Sequence, residues 1–278
     1  MSTRLCVYFG HHKCASTWVV TICRFVAKYT GMTLRSYDNS TQYNHDLVAD
    51  LKQYQPEILC LRNAKDAERR QLPEFRGFHM IRDPRDILVS GYFSHLNTHP
   101  TKSWKGLEPH REKLKKISKE EGLIAEIEFS ENVFRDLDGW DYNQSNVLEL
   151  KYEEFLVNPY QAMLDAFDFV NLVDWDEPSK AQWLESFLVL YNHKVHNKLP
   201  FWPLFPRREQ IPHYLLLYKC HETRFSKLTG GRREGEEDTK SHYRKGVAGD
   251  WMGHFTPEIE AAFKERFPGL IEKLGYTW

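Results

Sequence analysis

Phe9-Gly-His-His-Lys-Cys-Ala-Ser-Thr-Trp18 joins an apolar run to a segment with helical periodicity, and this stretch decides the fold. The run before it, Leu5–Phe9, is typical of a buried strand. The segment after it repeats apolar residues at helical spacing and ends at Gly31, a common helix C-cap. A strand, a loop and a helix in this order predict a strand–loop–helix unit, in which the N-terminus of the helix can bind an anion.

The rest of the chain continues the alternation of strands and helices. Apolar runs at 58–61, 77–81 and 146–151 predict three further strands. Helices are expected to begin at Asp83-Pro84 and at Asn158-Pro159, because each pair supplies an N-cap and a first-turn proline. We therefore predict one α/β domain over residues 1–278, with a central parallel sheet flanked by helices.

Composition excludes several classes of protein. The chain has 278 residues and a net charge of -1, with 38 Lys+Arg against 39 Asp+Glu, which disfavours a nucleic-acid binder. No apolar stretch approaches the roughly 18 residues of a membrane span, so we expect no membrane partner. The five scattered cysteines fit free thiols in a reducing compartment. The N-terminal residues lack the apolar core of a signal peptide, so we expect a cytoplasmic location.

Three segments interrupt the alternation, and we expect each to be mobile. Residues 97–121, rich in Lys, Glu and His, are predicted to form a loop that leads into an exposed helix. Residues 193–212 contain four prolines and are predicted to be an irregular loop that lines a pocket. Residues 229–241 are polar and contain glycines, which is typical of a surface loop.

The first loop carries residues suited to an anion. Lys13 supplies a point charge, and Ser16 and Thr17 supply hydroxyl donors at a helix N-terminus. The loop does not match the Walker A spacing GxxxxGK[ST]. The alternative is an ordinary turn between strand and helix with a capping serine.

Two later stretches also favour anion binding. Arg82 ends a predicted strand, where open α/β sheets bind ligands, and Ser90 follows eight residues later. The alternative is that Arg82 and Arg85 only pair with neighbouring aspartates. Arg244-Lys-Gly-Val-Ala-Gly-Asp-Trp251 forms a compact basic turn in which glycine lets the backbone approach a ligand. Its alternative is a solvated charged loop.

Together these stretches resemble the PAPS-dependent sulfotransferases, which transfer a sulfuryl group from 3′-phosphoadenosine-5′-phosphosulfate (PAPS). The family's first loop is typically PKSGTTW, where this chain has residues 12–18. Its Arg-to-Ser spacing of eight matches Arg82 and Ser90, and its RKGxxGDW motif matches residues 244–251 at every fixed position. Leu150-Lys-Tyr-Glu-Glu154 and Thr223-Arg-Phe225 are similar to two weaker family elements. The resemblance runs from residue 7 to about 256.

The resemblance implies a role for each matching position. The loop residues hold the 5′-phosphosulfate, and Lys13 and Ser90 also serve the transfer step; the loop set is Lys13, Cys14, Ala15, Ser16 and Thr17. Trp18 stacks on adenine, with Tyr152, Thr223 and Phe225 around the base. The 3′-phosphate clamp consists of Arg82, Ser90, Arg244, Lys245 and Gly246. The implied donor is PAPS, the product is adenosine 3′,5′-bisphosphate (PAP), no metal is required, and the acceptor is a small molecule with a hydroxyl or amine.

The chain also departs from the family pattern. His12 replaces the loop proline, and Cys14-Ala15 replace Ser-Gly. The KTHLP-like segment with a catalytic histidine corresponds to Leu61-Arg-Asn-Ala-Lys-Asp66, which has no histidine. Asp38 and His45 are equal candidates for the base. The family's dimerisation pattern is eroded at residues 252–261, so the oligomeric state is left open. The acceptor pocket is expected to use Trp104, Phe201, Trp202 and Phe205.

Parts of the sequence are also compatible with three other functions. A metal site built from His11, His12, Cys14 and Cys6, or from His193 and His196, is disfavoured because adjacent histidines point in different directions. A nucleoside or small-molecule kinase would share the P-loop-kinase-like, phosphate-binding strand–loop–helix unit, but this chain lacks the Walker glycine–lysine pair and a clear metal-binding carboxylate after a strand. A non-catalytic PAPS- or PAP-binding protein would explain the missing histidine, but not the retained Lys13 and Ser90.

Overall fold

The computed structural model describes residues 5–196 and 207–278. Seven strands lie in these ranges: β1 Leu5–Phe9, β2 Leu34–Tyr37, β3 Ile58–Leu61, β4 Phe75–Ile81, β5 Val147–Lys151, β6 Val173–Asp174 and β7 Ile211–Pro212. The helices of the same ranges are α1 Ser16–Thr30, α2 Leu47–Tyr54, α3 Asp66–Arg69, α4 Pro84–Asn97, α5 Leu107–Leu114, α6 Lys119–Phe129, α7 Glu131–Asp138, α8 Tyr152–Val157, α9 Pro159–Phe169, α10 Lys180–His196, α11 His213–Glu222, α12 Phe225–Leu228, α13 Pro257–Arg266 and α14 Leu270–Lys273.

The main sheet has five parallel strands in the order β2-β3-β1-β4-β5. The chain leaves β1 towards one edge and later returns to the other side at β4, so the carboxyl ends of β1 and β4 flank a switch in direction. Open α/β sheets bind ligands at such a point. The predicted α/β fold with a central parallel sheet is confirmed.

The edge strand β2 was missed by the sequence analysis, which predicted only four strands. Its sequence, LRSY, contains two polar residues, and three of its four side chains are only partly buried. Its strand conformation depends on pairing with β3, from Leu34 opposite Ile58 to Tyr37 opposite Leu61. No local apolar pattern could have revealed it, because an edge strand needs little apolar surface.

Side chains of β1 alternate between two cores, as the twofold period of a strand requires. Tyr8 faces a core formed with α1, α9 and α11. Val7 and Phe9 face a second core that contains Leu47 of α2 and Trp140. A third buried cluster joins α4, α6, α7, α13 and α14, and Cys14 of the first loop belongs to it.

The prediction for residues 97–121 holds in part. In the described part of the chain, the segment after α4 contains no α-helix or strand before it leads into α5, as predicted, but Leu107 and Leu114 of α5 are buried, so the helix is not exposed on every face. The two leucines lie two helical turns apart, and α5 packs against α4 and α6, a contact that a composition rich in Lys and Glu concealed.

The other two predicted loops have mixed outcomes. At 193–212, the first four residues end α10 and the last two form β7, while residues 197–206, including Phe201, Trp202 and Phe205, lie outside the described residues. Residues 229–241 contain neither helix nor strand, in agreement with the loop prediction. No helix among the described residues is long and apolar enough to cross a membrane.

Candidate functional site

The loop after β1 closes tightly on the start of α1. Gly10 sits where an added Cβ would lie 2.4 Å from the Tyr8 hydroxyl and 2.6 Å from the Ser16 hydroxyl. The Ser16 hydroxyl donates to the main-chain oxygen of His11 at 2.9 Å. The loop is therefore held as a compact turn, and only glycine fits at position 10.

Two non-glycine residues of this loop have left-handed backbones. The φ angles are 64° at Lys13 and 59° at Ala15. Ala15 is the N-cap of α1, and its methyl side chain offers no acceptor to the first-turn N–H groups. Ser16 is the first helical residue rather than the cap, so the capping-serine alternative is wrong. A helix N-terminus without a side-chain cap is suited to an anion.

Arg82 connects the three basic stretches. It follows β4 directly, and its guanidinium donates to the main-chain oxygens of Lys13 at 3.3 Å and Val247 at 3.0 Å. The same group lies 3.4 Å from the Asp86 carboxylate and 4.6 Å from the centre of the Tyr152 ring. Burial would lower the pKa of Arg82, but Tyr152, Asp86 and Glu153 raise it, so the side chain keeps its charge.

The basic turn at 244–251 is anchored by α4. The Asp86 carboxylate accepts main-chain hydrogen bonds from Gly249 at 2.7 Å and Trp251 at 2.9 Å. Arg85 instead pairs with Asp83 in a buried ion pair and lies 3.7 Å from the centre of the Trp251 ring. The alternative of local arginine–aspartate pairing is thus correct for Arg85, while Arg82 also reaches both other stretches.

The cationic side chains of this turn share one carboxylate. Arg244 and Lys245 both bind Asp250. Burial alone would raise the pKa of Asp250, but hydrogen bonds from His254, Lys245 and Arg244 hold it well below its usual value. Gly246 has a φ of 68°, and an added Cβ would lie 2.6 Å from the Phe225 ring. The turn therefore presents its cations at a fixed place beside Phe225.

The pKa of Lys13 is lower than that of an ordinary lysine. Burial, followed by repulsion from Arg82 and Arg244, lowers the pKa of Lys13 to about 8. An anion placed among these three cations would relieve the repulsion and favour the charged form.

A cavity of about 1030 Å³ gathers most of the predicted site residues. Thirteen of the fourteen predicted PAPS-binding residues line it: Lys13, Ala15, Ser16, Thr17, Trp18, Arg82, Ser90, Tyr152, Thr223, Phe225, Arg244, Lys245 and Gly246. The Trp18 indole N–H donates to the Thr223 main-chain oxygen at 2.7 Å, and its ring lies 4.8 Å from Phe155. Residues distant by more than 200 positions therefore form one wall.

Two predicted residues stand apart from this cavity. The Cys14 side chain is wholly buried in the cluster of α4 and α13, and its N–H already donates to the His11 oxygen at 3.2 Å. His45 is exposed and binds the Ser40 hydroxyl at 2.7 Å. Asp38 does line the cavity. Trp104, expected at the acceptor pocket, also lines it.

Arg62, which follows β3, also lines the cavity and is not among the residues predicted from the sequence. Its guanidinium donates to the Thr17 hydroxyl at 3.0 Å and pairs with Asp38 at 2.7 Å. The strand-end argument used for Arg82 applies equally to Arg62 and would have found it. His99 and His242 line the cavity as well, and neither was predicted from the sequence.

No protein-family model matches the sequence. The chain is 26% identical over 192 residues to mouse sulfotransferase 2A6, a match that covers 68% of this chain and 54% of the relative. The aligned region thus spans about half the length of this curated relative. In fold, the chain is similar to mouse sulfotransferase SULT7A1 complexed with PAP, with a TM-score of 0.53 and 13% identity over 98% of this chain and 86% of that one.

Proposed function

We propose, on the premise that this chain belongs to the cytosolic-type sulfotransferase family, that it binds PAPS and transfers the sulfuryl group to a small-molecule hydroxyl or amine. The observation that carries this proposal is the meeting of three basic stretches, far apart in sequence, in one cavity. A kinase or a general nucleotide binder has no need for a second cluster of cations beside the first.

The 3′-phosphate end is assigned to the basic turn. Arg82, Arg244 and Lys245 supply three positive charges, and Ser90 supplies a hydroxyl. Arg244 and Lys245 both bind Asp250, so the carboxylate holds the two cations in position for the phosphate. A nucleotide without a 3′-phosphate would leave these cations unused, which gives selectivity for PAPS over ATP.

The reacting end is assigned to the loop after β1. Lys13, Ser16 and Thr17 lie at the N-terminus of α1, where main-chain N–H groups and the helix dipole favour an anion. In the transfer, the bond between sulfur and the bridging phosphate oxygen breaks while the acceptor oxygen or nitrogen bonds to sulfur. Lys13 stabilises the negative charge left on the bridging oxygen, and the acceptor proton passes to a base.

The adenine is assigned to the aromatic wall. Trp18, Tyr152 and Phe225 line the same cavity, and stacking on such rings suits a flat base. Of the two base candidates, we propose Asp38, because this residue lines the cavity and His45 does not. Asp38→Asn is then expected to lower kcat more than His45→Ala.

The first experiment is a calorimetric titration with PAP, ATP and ADP. We expect ATP to bind at least about tenfold more weakly than PAP, a difference of about 1.4 kcal/mol. Arg244→Ala should weaken PAP by about 10–100-fold, the loss of one charge-assisted contact. Arg233→Ala, on an exposed part of the same loop, should not. A preference for ATP would favour the kinase and overturn the proposal.

Turnover separates an enzyme from a binding protein. Lys13→Ala is expected still to bind PAP, more weakly because the lysine beside the 5′-phosphate is missing, and to lose sulfuryl transfer from PAPS to a panel of hydroxyl and amine acceptors. If the unaltered protein binds PAP but transfers nothing to any acceptor, the non-catalytic alternative is correct.

A further inference from the structure

Three histidines meet beside the loop that carries Lys13. One ring nitrogen each from His12, His95 and His99 lies within 4.8 Å of the other two. His12 comes from the loop after β1, His95 from the last turn of α4, and His99 from the segment that follows. The metal site weighed from the sequence grouped His12 with His11 and two cysteines. In the structure, His12 instead lies beside His95 and His99.

Two of these histidines have a ring nitrogen without a partner. Nε2 of His12 and Nε2 of His95 are both buried, and neither has a hydrogen bond to any part of the chain that the structure describes. His95 is wholly buried. A buried polar atom without a partner destabilises a fold. Two such atoms in a group of three histidines whose ring nitrogens lie within 4.8 Å of one another indicate that a ligand belongs between them.

The other nitrogen of His95 is fixed by a buried carboxylate. Nδ1 of His95 lies 2.8 Å from Glu126, whose second oxygen lies 2.9 Å from Nε2 of His110. Ser130 donates to the same carboxylate. A carboxylate on the outer nitrogen of a histidine is the usual support of a histidine that binds a metal, because it fixes the tautomer and raises the basicity of the inner nitrogen.

We propose that His12, His95 and His99 bind a divalent transition metal ion, with Zn²⁺ as the ion that best fits three imidazoles. This site goes beyond the proposed function and replaces the expectation that no metal is involved. His12 and His99 also line the cavity, so a fourth coordination position would face the space assigned to the acceptor. A hydroxyl bound there would have a lowered pKa.

The three histidine rings must move closer together before they can coordinate one metal ion. Ligand nitrogens around a tetrahedral Zn²⁺ stand about 3.4 Å apart when the bonds are about 2.0–2.1 Å, which is shorter than the 4.8 Å limit of the cluster. The rings of His12 and His95 are nearly parallel, at 13°, so His12 must turn. His95 is held by Glu126, whereas His12 and His99 adjoin open space and can rotate. The positive charge of Lys13 opposes the ion, and the buried charge of Glu126 favours it.

The test is titration of the protein, stripped of metal by a chelator, with Co²⁺ and then with Zn²⁺ as competitor. We expect a visible d–d absorption typical of tetrahedral Co²⁺, at about one ion per chain, that Zn²⁺ abolishes. His99→Ala, at a half-buried position, should weaken metal binding by more than tenfold, and Glu126→Gln by about 10–100-fold. His213→Ala, outside the cluster, should have no effect.

Titration of the same metal-free proteins with PAP tests the nucleotide site independently of the metal site. If PAP binds both the unaltered metal-free protein and His99→Ala, the fold and the nucleotide site are intact. A difference in Co²⁺ binding between the two proteins is then due to the metal site alone. Absence of the Co²⁺ absorption in the unaltered protein, or equal affinity in His99→Ala, would overturn the metal site without touching the sulfotransferase proposal.

Discussion

The Asp86 carboxylate accepts a 2.7 Å hydrogen bond from the main-chain N–H of Gly249, across 163 positions of sequence. It also accepts from Trp251 at 2.9 Å and lies near Arg82. A buried aspartate of α4 therefore holds the basic turn against the end of β4, and the relative position of the three proposed phosphate-binding cations depends on it.

Replacing this carboxylate should loosen the turn. Asp86→Ala is expected to lower the free energy of unfolding by about 3 kcal/mol, because two main-chain N–H groups and Arg82 lose their buried acceptor. Chemical denaturation measures the loss, and PAP titration should show weaker binding. Asp46→Ala removes an exposed helix cap, whose carboxylate accepts from Ala49, and should cost only about 1 kcal/mol. Equal losses in the two variants would contradict the anchoring role.

Gly246 is expected to tolerate no side chain. An alanine there would hold a strained φ near 68° and press on the Phe225 ring, so Gly246→Ala should lower stability by about 1–3 kcal/mol and displace Phe225 from the cavity. PAP affinity should fall with it, by at least about tenfold. Gly253→Ala is the matched control, because an added Cβ at 253 meets nothing within 4 Å. Unchanged PAP affinity in Gly246→Ala would show that Phe225 takes no part in binding.

Ala15 offers a gain in stability. Its φ of 59° is costly for any residue with a Cβ, so Ala15→Gly should raise the free energy of unfolding by about 0.5–1 kcal/mol after the added flexibility of the unfolded chain is subtracted. The control is Ala27→Gly within α1, which should lower stability by about 1 kcal/mol. Thermal unfolding of both variants decides the matter. A loss of stability in Ala15→Gly would mean that the left-handed turn is not strained.

Glu149 predicts a dependence of stability on pH. Burial, with repulsion from Asp141, raises the pKa of Glu149 to about 8, against a Trp140 hydrogen bond that lowers it. Its carboxyl faces His79, whose own pKa burial lowers to about 3. Below pH 8 the folded state therefore binds a proton that the unfolded carboxyl has lost, and stability falls as pH rises from about 5 to about 8.

Glu149→Gln replaces the titrating carboxyl with an amide that does not titrate, so the free energy of unfolding should depend less on pH. The slope attributable to Glu149 is at most about 1.4 kcal/mol per pH unit, reduced by its partial exposure. The difference between the unaltered protein and Glu149→Gln at about pH 7 and about pH 8 isolates this slope, because Lys13, whose pKa is also about 8, titrates in both proteins. His79 affects stability only near and below the ordinary histidine pKa of about 6.5. Exposed Glu154→Gln is the control. A profile identical to that of the unaltered protein would show that Glu149 is ionised throughout.

Local sequence patterns determined the elements around the site. The bounds of β1 and β3, the proline-started helices α4 and α9, and the glycine cap of α1 at Gly31 agree with the structure. Such features depend on neighbours within one or two turns, so periodicity and capping residues suffice to reveal them. The resemblance to the sulfotransferase motifs implied that Arg82, Ser90 and residues 244–246 lie close together, and all of them line one cavity.

Tertiary structure decided what depends on distant contacts. The strand β2 exists because β3 pairs with it, and Cys14 turns into the core because helices α4 and α13 lie behind the loop. The sequence by itself determined a parallel α/β sheet and the strand–loop–helix unit at its centre, since hydrophobic period and helix-start residues are local properties. Only the fold could bring Arg62 to Thr17, or His12 to His95 and Glu126, because side chains so far apart in sequence meet through packing that no local pattern encodes.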